Sequence, residues 1–361
     1  MNPSSLYIHI PFCKRKCLFC SFAIAVGQEH VYEDYLSALG AEMKKYRAAR
    51  VSTVYLGGGT PSQLNEDQLR DLVSQIRDNF VIEDNAEMTI EVNPESIYAS
   101  KAEFLLRAGF NRVSLGVQST QERYLKFLGR AHDVQSAREA YVLLRKAGFQ
   151  NINLDLMYAF PGQTRQELED DVRNLACQGS EHLSLYTLTV EPHSRFYATG
   201  MKLDDEEKLA EHYLLIAQLL EEYGFKQYEV SNFARPGFES AHNINYWQCG
   251  SSIGLGMGAH GFLEGRRYWN TSNLQEYLQR ARRGETQVEG YEDLNAEVRA
   301  TEKLLFGLRM NKGVSWEMVS TSKHQEIRSL IKEGFLVLEN GFVKTTRPGR
   351  LVLDTLSERL V

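Results

Sequence analysis

The chain has 361 residues and a mass of 41.2 kDa, enough for one large α/β domain and a smaller one. Its 43% apolar and 24% charged content is that of a globular protein, and a net charge of −6 argues against a general polyanion binder. No apolar run has the length of a membrane span, the first residues lack the regions of a signal peptide, and five cysteines with three clustered do not form a disulfide framework, so a reduced cytoplasmic setting is expected.

Strand-like runs stand at Leu6–Phe12, Thr53–Gly58, Met88–Asn93, Val113–Gln118, Ile152–Ala159 and Leu183–Val190. Between them, 31–48, 65–79, 133–147 and 164–177 carry helical patterns. Alternating β and α units imply a parallel sheet with helices outside, as a partial barrel or a doubly wound sheet. The strand faces bear on that choice. Met88, Ile90 and Val92 oppose Thr89, Glu91 and Asn93; Val113, Leu115 and Val117 oppose Ser114, Gly116 and Gln118; Ile152, Leu154 and Leu156 oppose Asn153 and Asp155. Parallel sheets ordinarily bury apolar groups on both faces, and an unpaired carboxylate in such a core is costly. The polar faces are therefore expected to line an open cavity for a polar ligand, with a buried hydrogen-bond network as the alternative.

Beyond about residue 200 the rhythm changes. A helix near 204–223 precedes EVSNFARPGFESAHNINYWQCG, and the glycine-rich SSIGLGMGAHGF follows. GLGMGA contains G-x-G-x-x-A, but no helical pattern follows it, which weighs against a dinucleotide site. The tail reads as helix (296–309), helix (323–333), a hairpin LVLENGFVKT turning at Asn340-Gly341, and a short helix. That order resembles a small winged-helix fold. The mixed charge of SKHQEIRSLIKEG favours a lid or partner surface over DNA binding.

The stretch HIPFCKRKCLFCSF holds Cys13, Cys17 and Cys20 in a C-x3-C-x2-C pattern. Four cysteines saturate a [4Fe–4S] cluster; three leave one iron open to a small ligand. Phe12, Phe19 and Phe22 are expected to shield the cluster, and Lys14, Arg15 and Lys16 to offset its charge and face a reductase. A structural zinc site with a distant histidine is the competing reading.

C-x3-C-x2-C after a first strand, with GGGTP (Gly57 to Pro61) closing the second, resembles the radical S-adenosylmethionine (SAM) superfamily. In that superfamily the amino and carboxylate groups of SAM chelate the open iron. YIHIPFC, IEVNP, LGVQS, LGR and NLDLMYAFPGQT extend the likeness to the group containing oxygen-independent coproporphyrinogen III oxidase and its heme-chaperone relatives. The resemblance implies that Tyr7 and Phe19 contact SAM, that Gly58, Gly59 and Thr60 hold its head group, and that Glu91, Gln118, Arg130 and Asp155 line its site.

Two features point to the chaperone branch. The oxidases carry a fourth cysteine two residues after the third, where this chain has Phe22, and an extension before the first strand, where this chain has Tyr7 near its start. The chaperones carry HNxxYW, and here HNINYW spans His242 to Trp247. Heme needs an axial donor and an aromatic wall, which His242, Tyr246 and Trp247 offer, with Cys249 as an alternative ligand. The expectation is a partial (β/α)6 barrel over 1–230, a connecting segment with the heme motif over 231–294, and a winged-helix-like domain over 295–361. Its expected cofactors are a [4Fe–4S] cluster, SAM and heme, and its partners heme-acceptor proteins and a reductase. Coproporphyrinogen III oxidation is the competing activity.

Overall fold

The strand–helix alternation folds into a parallel sheet. The computed structural model describes residues 4–361, so the first three residues of the expected barrel segment lie outside the described residues. Strands β1 (Ser4–Ile10), β2 (Ala49–Gly58), β3 (Phe80–Val92), β4 (Arg112–Gln118), β5 (Ile152–Tyr158) and β6 (His182–Thr187) pair in parallel, in chain order. Helices α1 (Tyr32–Met43), α2 (Glu66–Asn79), α3 (Ala99–Arg107), α4 (Val134–Ala147) and α5 (Arg165–Ala176) connect them. Their apolar stripes meet the apolar strand faces: Leu69, Leu72 and Ile76 of α2 share one core with Leu6, Ile8, Leu56 and Ile90. Capping boxes start α2 at Asn65/Gln68 and α5 at Thr164/Glu167, which fixes where each crossover leaves its loop.

Both edges of this sheet are extended by residues from beyond the six units. β7 (Asn232–Ala234) pairs antiparallel with β6. On the other side β8 (Ser252–Leu255) pairs in parallel with β1 and is followed by β9 (His260–Leu263), β10 (Arg266–Asn270) and β11 (Val288–Asp293), all antiparallel. The order across the sheet is β11-β10-β9-β8-β1-β2-β3-β4-β5-β6-β7, with the short Lys226–Gln227 strand last. The glycine-rich stretch is thus part strand. Gly254 sits under the backbone of His260, where a Cβ would collide with the carbonyl.

Helix α6 (Glu206–Glu222) packs on α5, and α7 (Ala241–Trp247) carries HNINYW. The tail has its own core, in which Leu304 and Leu308 of α8 (Ala296–Leu308) meet Ile327, Leu330, Leu336 and Val343. Its hairpin turns at Asn340 and Gly341, both at positive φ as the Asn-Gly pair predicts. Among the described residues, no helix is long and apolar enough to cross a membrane.

Candidate functional site

The cysteine loop lies at the end of β1, held by a two-residue parallel bridge between Phe12–Cys13 and Ala25–Val26. Cys13, Cys17 and Cys20 are part-buried and unbonded to one another. Burial pushes the Cys13 thiol up to about 11, and the proximity of Cys20 and Cys17 adds to the rise. Burial raises Cys20 likewise. The three thiols are close enough to act on one another's titration. A [4Fe–4S] cluster takes one cysteine per iron, so three thiols would leave one iron open. Phe12 is fully buried and stacks on Tyr32, at 3.9 Å between ring centroids, while Phe22 is 66% exposed. Phe19 is half-buried against the cluster of Tyr124, Leu128 and Phe160.

A chain of polar contacts runs from the cysteines into the barrel. The Thr60 hydroxyl is 3.5 Å from Cys13 Sγ and accepts from Asn93 Nδ2 at 2.9 Å. Arg130 Nη2 donates to Asn93 Oδ1 at 2.6 Å and to the Gly116 carbonyl at 3.0 Å, and its Nη1 lies 3.5 Å from Cys17 Sγ. Arg130 is thereby fixed beside the thiols, where its charge opposes that of a thiolate-ligated cluster. Gly59 lies against the Pro11 carbonyl, with its N–H donating to Ile10 O at 2.9 Å.

Further along the same face, Glu91 accepts from the Tyr55 hydroxyl at 2.8 Å and the Gly58 N–H at 3.1 Å. Burial outweighs both bonds and raises its carboxyl to about 7. Gly58 has φ +112°, and a Cβ there would stand 2.5 Å from the His9 ring. His9 accepts from the Tyr7 hydroxyl at 3.0 Å and donates to Ala23 O at 2.7 Å, and burial depresses its pKa to about 4. Asp155 accepts from Ser114 at 3.0 Å and Asn153 at 2.8 Å, and burial again raises its pKa. Gln118 ends β4 at φ +68°, part-exposed, with its amide close to Gly116. The structure thus joins Thr60, Arg130 and Gly59 to the cysteine loop and Tyr7, Gly58 and Glu91 to one another, with Asp155 in a separate hydrogen-bonded group.

Tyr7, Gly58 and Glu91 open into a cavity of about 980 Å³, whose far walls are α7, the β9–β10 hairpin and α8. Trp247, Phe262, Trp269 and Phe306 line it. His242, expected as an iron donor, is only 2% exposed on its floor. Its Nδ1 is 2.7 Å from Thr53 Oγ1, which donates to Ser5 at 2.8 Å, and its Nε2 is 2.9 Å from the Tyr246 hydroxyl. With the Thr53 proton given to Ser5, Nδ1 carries the ring proton and Nε2 accepts from Tyr246. Burial, then the charge of Arg112, lowers the His242 pKa to about 3, so the ring is neutral. Both nitrogens are engaged within the fold, an arrangement the sequence expectation did not include.

Asn93 is a residue that sequence reasoning left unassigned. The period-two signal that selected Glu91 also placed Asn93 on the polar face, and its bridging of Thr60 and Arg130 makes it the hub of the cysteine-side network. The hairpin residues His260 and Trp269 were missed as well. Only the alternation of HGFLEGRRYWN hinted that they share a face.

Comparison with known proteins agrees with this architecture. The radical SAM superfamily matches residues 7–175, and the HemN C-terminal domain matches residues 294–352. The chain is 34% identical to the heme chaperone HemW of Bacillus subtilis over 96% of each chain. It is 35% identical to the heme chaperone HemW of Escherichia coli over 99% of this chain and 98% of that one. The solved coproporphyrinogen III oxidase (HemN) of Escherichia coli, a radical SAM enzyme, has the same fold at a TM-score of 0.87, with 24% identity, over 99% of this chain and 90% of that chain. The α/β sheet with its three-cysteine loop and the full-length identity to these chaperones lead to one assignment: the chain belongs to the HemW family of the radical SAM superfamily.

Proposed function

We propose that this chain is a cytoplasmic heme carrier that holds a [4Fe–4S] cluster on Cys13, Cys17 and Cys20, binds SAM on the adjoining polar face, and delivers heme from the aromatic cavity to acceptor proteins. The observation that carries this reading is the cavity itself. Its volume of about 980 Å³ and its aromatic walls suit a large planar apolar ligand, and it is continuous with Glu91 and Gly58. Burial of such a ligand is favourable by roughly 25 cal/mol per Å² of apolar area.

Arg130 and Thr60 would steady the cysteine side, and Gly58, Gly59 and Thr60 would offer backbone groups to the head group of SAM. Together the cluster and SAM would supply radical chemistry when bound. Tyr7, Tyr55 and Glu91 form the wall between that face and the heme cavity. Phe19, Gln118 and Asp155 complete the SAM surroundings in this reading, and His242 holds the cavity floor through Tyr246. Lys14 and Arg15 are exposed on the cysteine loop and suit the docking of an acidic reductase.

The test is anaerobic reconstitution. The protein should take up about four irons and show the broad absorption of a cysteine-ligated cluster. Cys13→Ala, Cys17→Ala and Cys20→Ala should each abolish it, whereas Cys177→Ala and Cys249→Ala should not. SAM should perturb the EPR spectrum of the reduced cluster, and coproporphyrinogen III should be left unconverted. Stoichiometric zinc without iron would sink the cluster assignment, and repeated turnover of coproporphyrinogen III would favour the oxidase reading.

A further inference from the structure

Three histidines and one cysteine line the cavity: His9, His242, His260 and Cys249. Two of the histidines are engaged. His9 is tied at both nitrogens by Tyr7 and Ala23, and His242 by Thr53 and Tyr246. Burial pushes the Cys249 thiol up to about 11, as it does that of Cys13, so ligation there has to displace a proton, which a neutral imidazole does not require.

His260 differs on each count. In the β9–β10 register it stands opposite Trp269, and Phe262 stands opposite Arg267. These four residues share the hairpin face that turns to the cavity, whereas Tyr268 points the other way, with its hydroxyl on the backbone of Gly254. The imidazole lies at 29° to the Trp269 indole, with 6.2 Å between centroids. It is exposed to the cavity, and no described residue hydrogen-bonds either ring nitrogen. Partial burial and then the charge of Arg267 lower its pKa, which keeps the ring neutral with a free lone pair.

Resting on the heme-carrier reading above, we propose that His260 is the axial ligand of the bound heme iron, its ring oriented by Trp269 at the cavity mouth. Trp247 and Phe306 lie in the opposite wall, 6.1 Å apart between centroids, and would cover the macrocycle. A donor at the mouth leaves the iron within reach of an acceptor. Transfer is then a ligand exchange in which the acceptor's bond to iron forms as the His260 bond breaks, and it needs no oxidant or reductant.

The full chain is titrated with hemin, and the Soret band and ferric EPR signal are recorded. Wild type should saturate at one heme with a histidine-ligated signature. His260→Ala should lose that signature and bind about tenfold or more weakly, and added imidazole should restore the signature. His260→Met should shift it toward a thioether ligand. Because the side chain is exposed, folding of these variants can be checked by far-UV circular dichroism before each titration. An unchanged signature in His260→Ala that vanishes in His242→Ala or Cys249→Ala overturns the His260 assignment and leaves the carrier reading standing. Failure of wild type to saturate overturns both.

Discussion

Glu91 shows how a single side chain can couple ligand to pH. The Tyr55 hydroxyl and the Gly58 N–H favour its carboxylate, but burial prevails, and the charge of Asp155 adds to the effect, so the carboxyl titrates at about 7 instead of 4.5. A carboxyl raised by folding binds more protons in the folded than in the unfolded state between those two values. Its contribution to stability is therefore present at low pH and is lost as pH rises through that window. A cation beside it has the opposite preference. SAM carries ammonium and sulfonium charges, so its binding should strengthen as pH rises through about 7, and Glu91→Gln should flatten the profile. Calorimetric titration at several pH values checks this; a flat wild-type profile would remove Glu91 from the site. The sequence made this residue legible because its strand alternates. It did not reveal the partners of His242, since Thr53 lies 189 positions away and only the fold brings its hydroxyl to the ring.

At the scale of elements, the six strands and four of their connecting helices were legible from period, while α3 (Ala99–Arg107) was not named. The cysteine loop was legible as a motif, but its packing was not: Phe12 belongs to the strand end and turns into the core, while Phe22 lies past the last cysteine and is exposed. Gly58 is where motif and backbone geometry coincide. At φ +112° with the His9 ring beneath it, an added Cβ is both strained and crowded. Gly58→Ala should cost about 2–4 kcal/mol of stability. Gly162→Ala, at φ +73° in open space, should cost only about 1–2 kcal/mol. Denaturant midpoints compare the two, and equal losses would contradict the close approach at His9. The β9–β10 hairpin escaped a firm reading because its strands are short and its turn, Glu264-Gly265, lacks the Asn-Gly or Asp-Gly signal.

Across the whole molecule, the cavity draws its walls from the first strand, the middle strands, the HNINYW helix, the hairpin and the first helix of the tail. This could not be read from the chain, because β8 is only four residues long and its partner β1 lies at the other end of the sequence, with Ser5 in register with Ser252. Helix α8 reaches the cavity through Phe306, while Arg309 covers the Trp247 ring at 4.7 Å, so the tail forms part of the wall. Of the three tryptophans, Trp247 and Trp269 line the cavity, and Trp316 stacks on His324 at 4.2 Å within the tail. Heme quenches nearby tryptophan, so tryptophan emission during a hemin titration tests the carrier reading most directly. The account predicts quenching that saturates at one heme per chain. Quenching that never saturates, or that matches an unrelated acidic protein, would contradict it.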